Sequence, residues 1–459
     1  MQISAIILAA GLSKRMKSAL PKVLHPLLGR PLIEYSLEAV KAVCPQKPVL
    51  VIGHAAEEVI KMVGEQVEYA VQKELLGTAD AVKSTRKLLE GKSDLILVMN
   101  ADLPLIESAS LRQLIEEQKI NSGPLALLTF FSDDSRGFGR ILRAPDGEVK
   151  AIVEESDATP QQLKITEFNV GVYCINAGWL WKTLEQVKAA PNGEYYLTDL
   201  VGLAVGQDLT VKAIPLQNAE EAIGINNRIH LAEAENILRK RINQKWMLEG
   251  VSMPDPQRVY IEKNVTLGQD TVIYPETYLR GTTSIGKNCE IGPGTIIVDS
   301  KIGDHCHIMM SVLEGAWLED EVAMGPFARL RRGAHLCRGV HMGNFGEIKN
   351  STLGPGVKMG HFSYIGDAEI GAEVNIGAGV VTCNFDGVKK NKTEIGANAF
   401  IGSDTMLRAP IKIGEGAYTG AGSVVTHDVP AHAIVTGVPA RPLVKKKKTA
   451  SPGDKKAKP

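Results

Sequence analysis

The sequence lacks net charge: 52 basic residues stand against 52 acidic ones over 459 positions. That balance argues against a chain that binds nucleic acid through bulk charge. The charge is unevenly spread, however. The residues after Val444 hold seven Lys and one Asp, a local charge of +6, so the remainder carries −6. Lysines mixed with Ser, Pro and Gly predict a solvated, disordered basic tail over 445–459. The six cysteines (Cys44, Cys174, Cys289, Cys306, Cys337 and Cys383) form no CxxC pair and no zinc spacing. They read as free thiols of a reducing compartment. No apolar run is long enough to cross a membrane, and the opening residues carry no basic leader, so a cytoplasmic protein without a membrane span is expected. There is also neither a Walker loop nor a GxGxxG fingerprint.

What the sequence does have is a ladder. Beginning at Ile261, single aliphatic residues recur every six positions at Leu267, Ile273, Leu279, Ile285, Ile291 and Ile297. The beat returns at Leu318, Met324, Leu330, Leu336, Met342 and Ile348, and again from Ile395 through Ile401, Leu407 and Ile413 to Val425. A period of six fits neither a helix nor a simple strand. It fits a chain that turns a corner after each short strand, three sides closing one coil of a parallel β-helix. Glycine often follows the rung residue and is expected to supply the corner dihedrals.

The first half reads differently. Ile3 to Leu8 is a continuous apolar and β-branched run, a strand buried on both faces. It ends in Ala9-Ala10-Gly11, where small residues let backbone N–H groups approach an anion, with Arg15 and then Lys22 supplying cations. A second buried run, Leu95 to Val98, leads to Asp102, a carboxylate at the carboxyl end of a strand, where α/β sheets bind ligands and metals. From Asn226 to about Gly250, apolar residues at Ile229, Leu231, Ala234, Ile237, Leu238 and Ile242 alternate with charge, predicting an amphipathic linker helix. The expected division is therefore an α/β domain over 1–227, a linker helix over 228–250, a β-helix over 251–444 and the basic tail.

These segments together resemble a known family. Leu8-Ala9-Ala10-Gly11, Arg15-Met16, Pro21-Lys22-Val23-Leu24, Gln72 and Leu76-Gly77-Thr78-Ala79 look like the signature of sugar-1-phosphate nucleotidylyltransferases. Gly137-Phe138-Gly139-Arg140, Asn169-Val170-Gly171 and Gly224-Ile225-Asn226 follow in the same order. Joined to a hexapeptide domain, the set resembles the bacterial bifunctional uridylyltransferase/acetyltransferases that make UDP-N-acetylglucosamine. The resemblance implies a Rossmann-like nucleotidyltransferase domain followed by a left-handed parallel β-helix. It implies that Leu8, Ala9, Ala10 and Gly11 line the UTP site, that Arg15 and Lys22 hold its phosphates as catalytic cations, and that Gln72, Gly77 and Thr78 read the uracil. Asp102 and Asn226 would hold Mg²⁺. Gly139, Glu154 and Asn169, with Tyr196 or Thr198, would hold the sugar phosphate.

In the second half the resemblance rests on Gly325 to Arg331, Gly343-Asn344-Phe345, Tyr364 to Gly371, Val374 to Gly379 and Thr382 to Gly387. It implies that His361 removes a proton from the sugar amine, with Glu347 orienting the imidazole. Arg331, Lys349, Tyr364, Asn375, Asn384 and Lys390 would surround glucosamine 1-phosphate. Phe385 stands there where the family often has Tyr. Ala378, Ser403 and Ala421 would line the acetyl-CoA channel, and Arg441 would take the place of a late CoA-contacting arginine. The implied assembly is a homotrimer. Ser13 and Lys14 replace a Gly-Thr pair, and Ala101, where Gly is usual, would narrow the space beside the metal. Another sugar or nucleotide preference, or a regulatory homologue without chemistry, remains an alternative on sequence alone.

Overall fold

The structure is a computed structural model that describes residues 1–443, the side chain of Lys14 excepted. The tail expected over 445–459 lies outside the described residues. The chain divides into two compact units, Met1–Leu238 and Arg239 onward. The division falls inside the helix Arg228–Leu248. Along that helix Ala234, Leu238 and Trp246 are buried, whereas Ile229, assigned to the apolar stripe above, is exposed.

The first unit is built on a nine-stranded sheet. Its main strands are β1 (Ile3–Leu8), β2 (Val49–Ile52), β3 (Glu68–Val71), β4 (Leu95–Asn100), β5 (Leu125–Phe131), β6 (Arg140–Arg143), β7 (Val149–Val153), β8 (Glu167–Asn176) and β9 (Val211–Pro215). The order across the sheet is β9-β5-β8-β4-β1-β2-β3, with β6 and β7 forming a hairpin against β8. Pairing along that order is parallel except that β8 runs antiparallel to both β4 and β5. β1 is central and is sandwiched, as a run such as Ala5-Ile6-Ile7 requires: all three side chains are buried. Register decides where the ligand edge lies. Leu8 pairs with both Val51 and Asn100, and Ile52 pairs with Val71. The carboxyl ends of β1, β2, β3 and β4 therefore stop together, delivering the loop after Leu8, Gln72 and Asp102 to one edge.

The second unit is a left-handed parallel β-helix with three sheets of 10, 9 and 11 short strands. Every rung residue named above is buried in one continuous core except Leu267, which is partly buried. Each coil contributes one inward side chain per face, so the core is a stack of aliphatic layers. The glycine expectation needs correction. Many corners with positive φ carry other residues, among them Asp270 at 62° and Asn288 at 54°. Gly292 and Gly325 do follow rungs at φ 101° and 108°, but elsewhere the glycine after a rung often serves space instead. A Cβ on Gly268 would lie 2.4 Å from the carbonyl carbon of Gly286, and one on Gly343 would lie 1.9 Å from the Gly360 oxygen. Successive coils approach too closely there for any side chain.

Coil length also varies, which explains the slips of phase. Arg329 pairs with Glu347 and Glu347 with Tyr364, steps of 18 and 17 residues, but Val381 pairs with Met406. The longer step contains a loop that leaves the prism at Asn384 and is closed by a bridge between Phe385 and Lys390.

Candidate functional site

The loop after β1 opens a cleft of about 530 Å³ at the ligand edge of the first unit. Leu8, Ala9, Ala10, Gly11, Lys22, Gln72, Gly77, Thr78 and Asp102 all line it. The backbone N–H of Ala9 bonds to Val51, but those of Ala10, Gly11 and Leu12 have no hydrogen-bond partner among the described residues. Three adjacent free donors in a loop of small residues form an anion cradle. Ser13 holds the turn at φ 53°. Gly77, at φ 104°, has no room for a Cβ, which would meet the Tyr195 carbonyl oxygen at 2.5 Å. The Thr78 hydroxyl oxygen accepts from the Leu197 N–H at 2.9 Å.

Cations and oxygens converge beside this cleft. Lys22 Nζ donates to Asp102 Oδ2 at 2.5 Å and to Asn226 Oδ1 at 3.4 Å. Arg15 Nη2 donates to the same Asn226 oxygen at 2.9 Å. Asp102 is only 19% exposed in its side chain, so the ion pair is partly shielded from water. A carboxylate oxygen and an amide oxygen thus face one point, both held by one ammonium. That donor set fits Mg²⁺, which takes oxygen ligands and few protein groups. Ala101 does not narrow this space: its side chain is buried in the hydrophobic core and faces neither cleft.

A second cleft of about 240 Å³ adjoins the first and shares Leu8, Thr78, Asn100 and Tyr196 with it. Gly139, Glu154, Asn169 and Thr198 line it. A Cβ on Gly139 would press on Ile152 Cγ2 at 2.9 Å and reach ordinary contact with the Glu154 carboxylate at 3.5 Å. Thr198 Oγ1 donates to Glu154 Oε1 at 3.1 Å. Burial pushes the Glu154 carboxyl above its ordinary range, and the charges of Asp157, Asp199 and Glu194 add to that, against the Thr198 hydrogen bond. Asn169 is held by its neighbours, donating to the Tyr173 hydroxyl at 2.7 Å and accepting from the Gly171 N–H at 3.1 Å.

On the β-helix a polar cluster forms around the loop that leaves at Asn384. Arg331 Nη1 donates to Glu347 Oε1 at 3.0 Å. Glu347, which the resemblance assigns to orienting His361, lies on a flat face opposite Arg329 and Tyr364, with one oxygen taken by the Arg331 guanidinium. His361 sits at the preceding corner, exposed, with no side-chain hydrogen bond among the described residues. The Arg331–Glu347 contact is a charge-assisted hydrogen bond. Lys349 and Lys390 face each other across a coil. The Lys390 ammonium, with Arg331 adding, holds the Lys349 amine below its ordinary pKa. Three cations gather here against two carboxylates, Glu347 on Arg331 and Asp367 near the two lysines, and the excess positive charge favours a bound anion. Tyr364 and Asn384 close over Gly366, where a Cβ would meet the Tyr364 hydroxyl at 2.5 Å and Asn384 Nδ2 at 2.7 Å. Asn375 lies half-buried on the neighbouring face, between Lys358 and Phe400 in register. Phe385 is 61% exposed on the loop.

Ala378, Ser403 and Ala421 stack at one corner of successive coils. A Cβ on Gly377 would touch the Ser403 nitrogen at 2.5 Å, and one on Gly402 would touch the Ala421 nitrogen at 2.8 Å. Arg441 stands apart from them, on the closing strand opposite Thr436, donating to its own neighbour's carbonyl at Ala440. Elsewhere on the prism, Glu319, His335 and Cys337 bring three metal-capable atoms within 4.8 Å of one another, although no spacing in the sequence marked them. His335 bonds to Glu319 at 2.9 Å and stacks on Trp317 at 4.0 Å. Burial, with the Glu319 charge, raises the Cys337 thiol to about 11, so the trio is a hydrogen-bonded cluster around a neutral thiol.

Residues 5–143 match the MobA-like NTP transferase domain, a stretch that carries the anion cradle, Gln72 and Asp102. Residues 392–427 match the bacterial transferase hexapeptide (six repeats). The bifunctional protein GlmU of Shouchella clausii is 42% identical over 94% of this chain and 95% of its own. That of Heliobacterium modesticaldum is 44% identical over 94% of each chain, and that of Geobacillus thermodenitrificans is 44% identical over 94% of this chain and 95% of its own. The chain belongs to the GlmU family. It is a bifunctional enzyme, a nucleotidyltransferase and an acyltransferase in one polypeptide.

Within this GlmU family member, several residues that shape the two sites escaped the motif reading. Asp80 and Tyr173 hold Gln72 and Asn169 in place. Asp367 accepts from Asn350 at 2.7 Å and from Asn384 at 2.5 Å. Burial alone would raise the Asp367 carboxyl, but those two amides and the Lys390 and Lys349 charges outweigh it and hold the group low. The signal for Asp367 was present: it lies 17 residues from each of Asn350 and Asn384, one coil in either direction. Among the described residues no helix is long and apolar enough to cross a membrane.

Proposed function

We propose that this chain makes UDP-N-acetylglucosamine in two steps, one in each unit. The β-helix transfers acetyl from acetyl-CoA to the amine of glucosamine 1-phosphate. The α/β unit transfers uridylyl from UTP to N-acetylglucosamine 1-phosphate and releases pyrophosphate. The observation that carries the reading is the pairing of two unlike anion sites in one GlmU-family chain. One is the cradle with Lys22, Asp102 and Asn226; the other is the Arg331–Lys349–Lys390 group.

In the α/β unit a phosphate oxygen of the sugar attacks the α-phosphorus of UTP, and the bond to the β-phosphate breaks. No covalent nucleophile is needed; the protein positions the phosphates and offsets charge. The Ala10, Gly11 and Leu12 N–H groups, Arg15 and Lys22 bind the triphosphate. Gln72 and Gly77 receive the base. Glu154 and Asn169 orient the sugar. Asp102 and Asn226 would hold Mg²⁺, which when bound would supply further positive charge to the phosphates. Lys22 gives up Asp102 as it turns to phosphate.

In the β-helix the amine attacks the thioester carbonyl; the new C–N bond forms and the C–S bond breaks, releasing CoA. His361 takes the amine proton at an imidazole nitrogen that no other side chain occupies. Arg331, Lys349 and Lys390 hold the phosphate, and Tyr364, Asn375 and Asn384 orient the sugar. Glu347 acts through Arg331, fixing the guanidinium. Ala378, Ser403 and Ala421, small residues at one corner, leave a channel for CoA. The working state is a cytoplasmic homotrimer. An apolar edge supports side-by-side packing: Phe327 and Phe345 stack at 5.4 Å, with Phe362 on the next coil, all more than half exposed.

The test is product analysis. Purified protein with glucosamine 1-phosphate, acetyl-CoA, UTP and Mg²⁺ is expected to yield UDP-N-acetylglucosamine, CoA and pyrophosphate. Preference for another sugar phosphate or nucleotide would replace the reading, and no turnover in either assay would end it.

A further inference from the structure

Gln72 follows β3 and is 6% exposed. Its backbone is fixed by a bond from its N–H to Ile52 at 2.8 Å. Its side-chain nitrogen Nε2 donates twice, to the Gly77 carbonyl at 3.0 Å and to Asp80 Oδ2 at 2.8 Å. Both partners are acceptors only, a carbonyl and a carboxylate, so the amide cannot be turned round without placing oxygen against oxygen. Both amide hydrogens are therefore committed. Oε1 has no hydrogen-bond partner among the described residues, and Gln72 lines the larger cleft. The Gly77 N–H is likewise without a partner among the described residues. The segment that carries these groups is anchored twice, through Ala79 N–H to Tyr195 at 2.9 Å and through Leu197 N–H to Thr78.

We propose that Asp80 is the positioning residue that gives this cleft its choice of base. By taking one amide hydrogen of Gln72, it locks Oε1 toward the nucleotide as a pure acceptor. A fixed acceptor beside a fixed N–H donor matches a pyrimidine with N3–H and a C4 carbonyl, which is uracil or thymine. Cytosine offers the reverse pattern at those two atoms, an acceptor at N3 and an amino group at C4. The same site thus rejects it by setting acceptor against acceptor and donor against donor. Asp80 itself need not touch the nucleotide. The inference rests on the reading of this cleft as the nucleotide site.

Asp80→Asn is close in shape but carries both a donor and an acceptor, so the Gln72 amide loses its charged partner and is held one way by the Gly77 carbonyl alone. The experiment measures kcat/KM for UTP and CTP with N-acetylglucosamine 1-phosphate, in wild type and Asp80→Asn. The ratio of UTP to CTP is expected to fall by at least about tenfold, the effect of one misdirected hydrogen bond. The change should lie mainly in KM for UTP, with kcat at saturating UTP little altered. An unchanged ratio, with both nucleotides losing equally, would mean that Asp80 merely holds the fold and would overturn the proposal. Asp80→Ala, which removes the acceptor outright, should shift the ratio in the same direction. Wild type must also discriminate against N3-methyl-UTP, whose N3 has no hydrogen to give; equal use of it and UTP would overturn the proposal without any variant. Turnover of no pyrimidine triphosphate by wild type would instead bring down the reading of the cleft itself.

Discussion

Replacing Glu154 by Gln separates stability from function in the sugar cleft. The carboxylate is partly buried, and its only hydrogen-bond donor among the described residues is the Thr198 hydroxyl. Burial, then the nearby carboxylates, raise its pKa above the ordinary value of 4.5. The native state therefore holds this proton more tightly than the unfolded chain does. Below about pH 4.5 both states are protonated and there is no penalty. As pH rises through the raised native value, stability is progressively lost, and the full cost persists above it. Gln carries no charge, so the variant should melt higher than wild type at pH 8, and the gain should fade toward pH 4.5. Function should move the other way. Oε1 already accepts from Thr198, which leaves Oε2 for a sugar hydroxyl. A hydrogen bond to a charged acceptor contributes about 1.5–3 kcal/mol, and Gln retains some of it, giving a loss of about 10–100-fold in kcat/KM for the sugar phosphate. KM for UTP, bound in the adjoining cleft, should hold. Calorimetry, with the N-terminal transition recognised by its upward shift on adding UTP, and steady-state kinetics read the two effects. A lower melting temperature at pH 8, or undiminished kcat/KM for the sugar phosphate, would refute the reasoning.

The remaining expectations concern the β-helix. Lys390→Met removes the cation that depresses the Lys349 amine, so the alkaline limb of glucosamine 1-phosphate binding should move to higher pH, while binding near neutral pH weakens. A pH series of KM for acetyl transfer checks this, and an unmoved limb would contradict it. Gly343→Ala places a methyl 1.9 Å from the Gly360 oxygen and must push adjacent coils apart. Overpacking of this kind costs about 1–3 kcal/mol, seen as a lower urea midpoint for the C-terminal unit, with Gly339→Ala, where a Cβ meets nothing within 4 Å but φ is 70°, as the comparison for strain alone.

Legibility in the sequence followed how local each cause is. The ladder was readable because one inward side chain per prism face repeats whatever the rest of the coil does. The Ile3–Leu8 run was readable because a strand covered on both faces admits no polar residue at its centre. The glycines were seen, but their reason was not: contact between coils is invisible to a reading of single-residue dihedrals. The resemblance grouped Arg331 with Lys349, yet it did not show that Glu347 would bond to Arg331. That bond depends on which face each residue occupies. Ala101 looked like a cleft residue because it neighbours Asp102, but in the turn after the strand its side chain is buried in the core while Asp102 lines the cleft. Asp80, Tyr173 and Asp367 were missed since each acts through another polar group, and only the fold supplies that partner.

The central claim, two independent chemistries in one chain, is tested most directly by crossing two variants. Asp102→Ala and His361→Ala are each assayed for both half-reactions, with folding checked by thermal melting. Asp102→Ala is expected to lose uridylyl transfer by at least about a hundredfold, the scale of removing one electrostatic stabiliser, and to keep acetyl transfer. His361→Ala is expected to do the reverse, and the two mixed together should again carry glucosamine 1-phosphate through to UDP-N-acetylglucosamine. If either folded variant lost both activities, or if the mixture failed to make the final product, the two-site account would be contradicted.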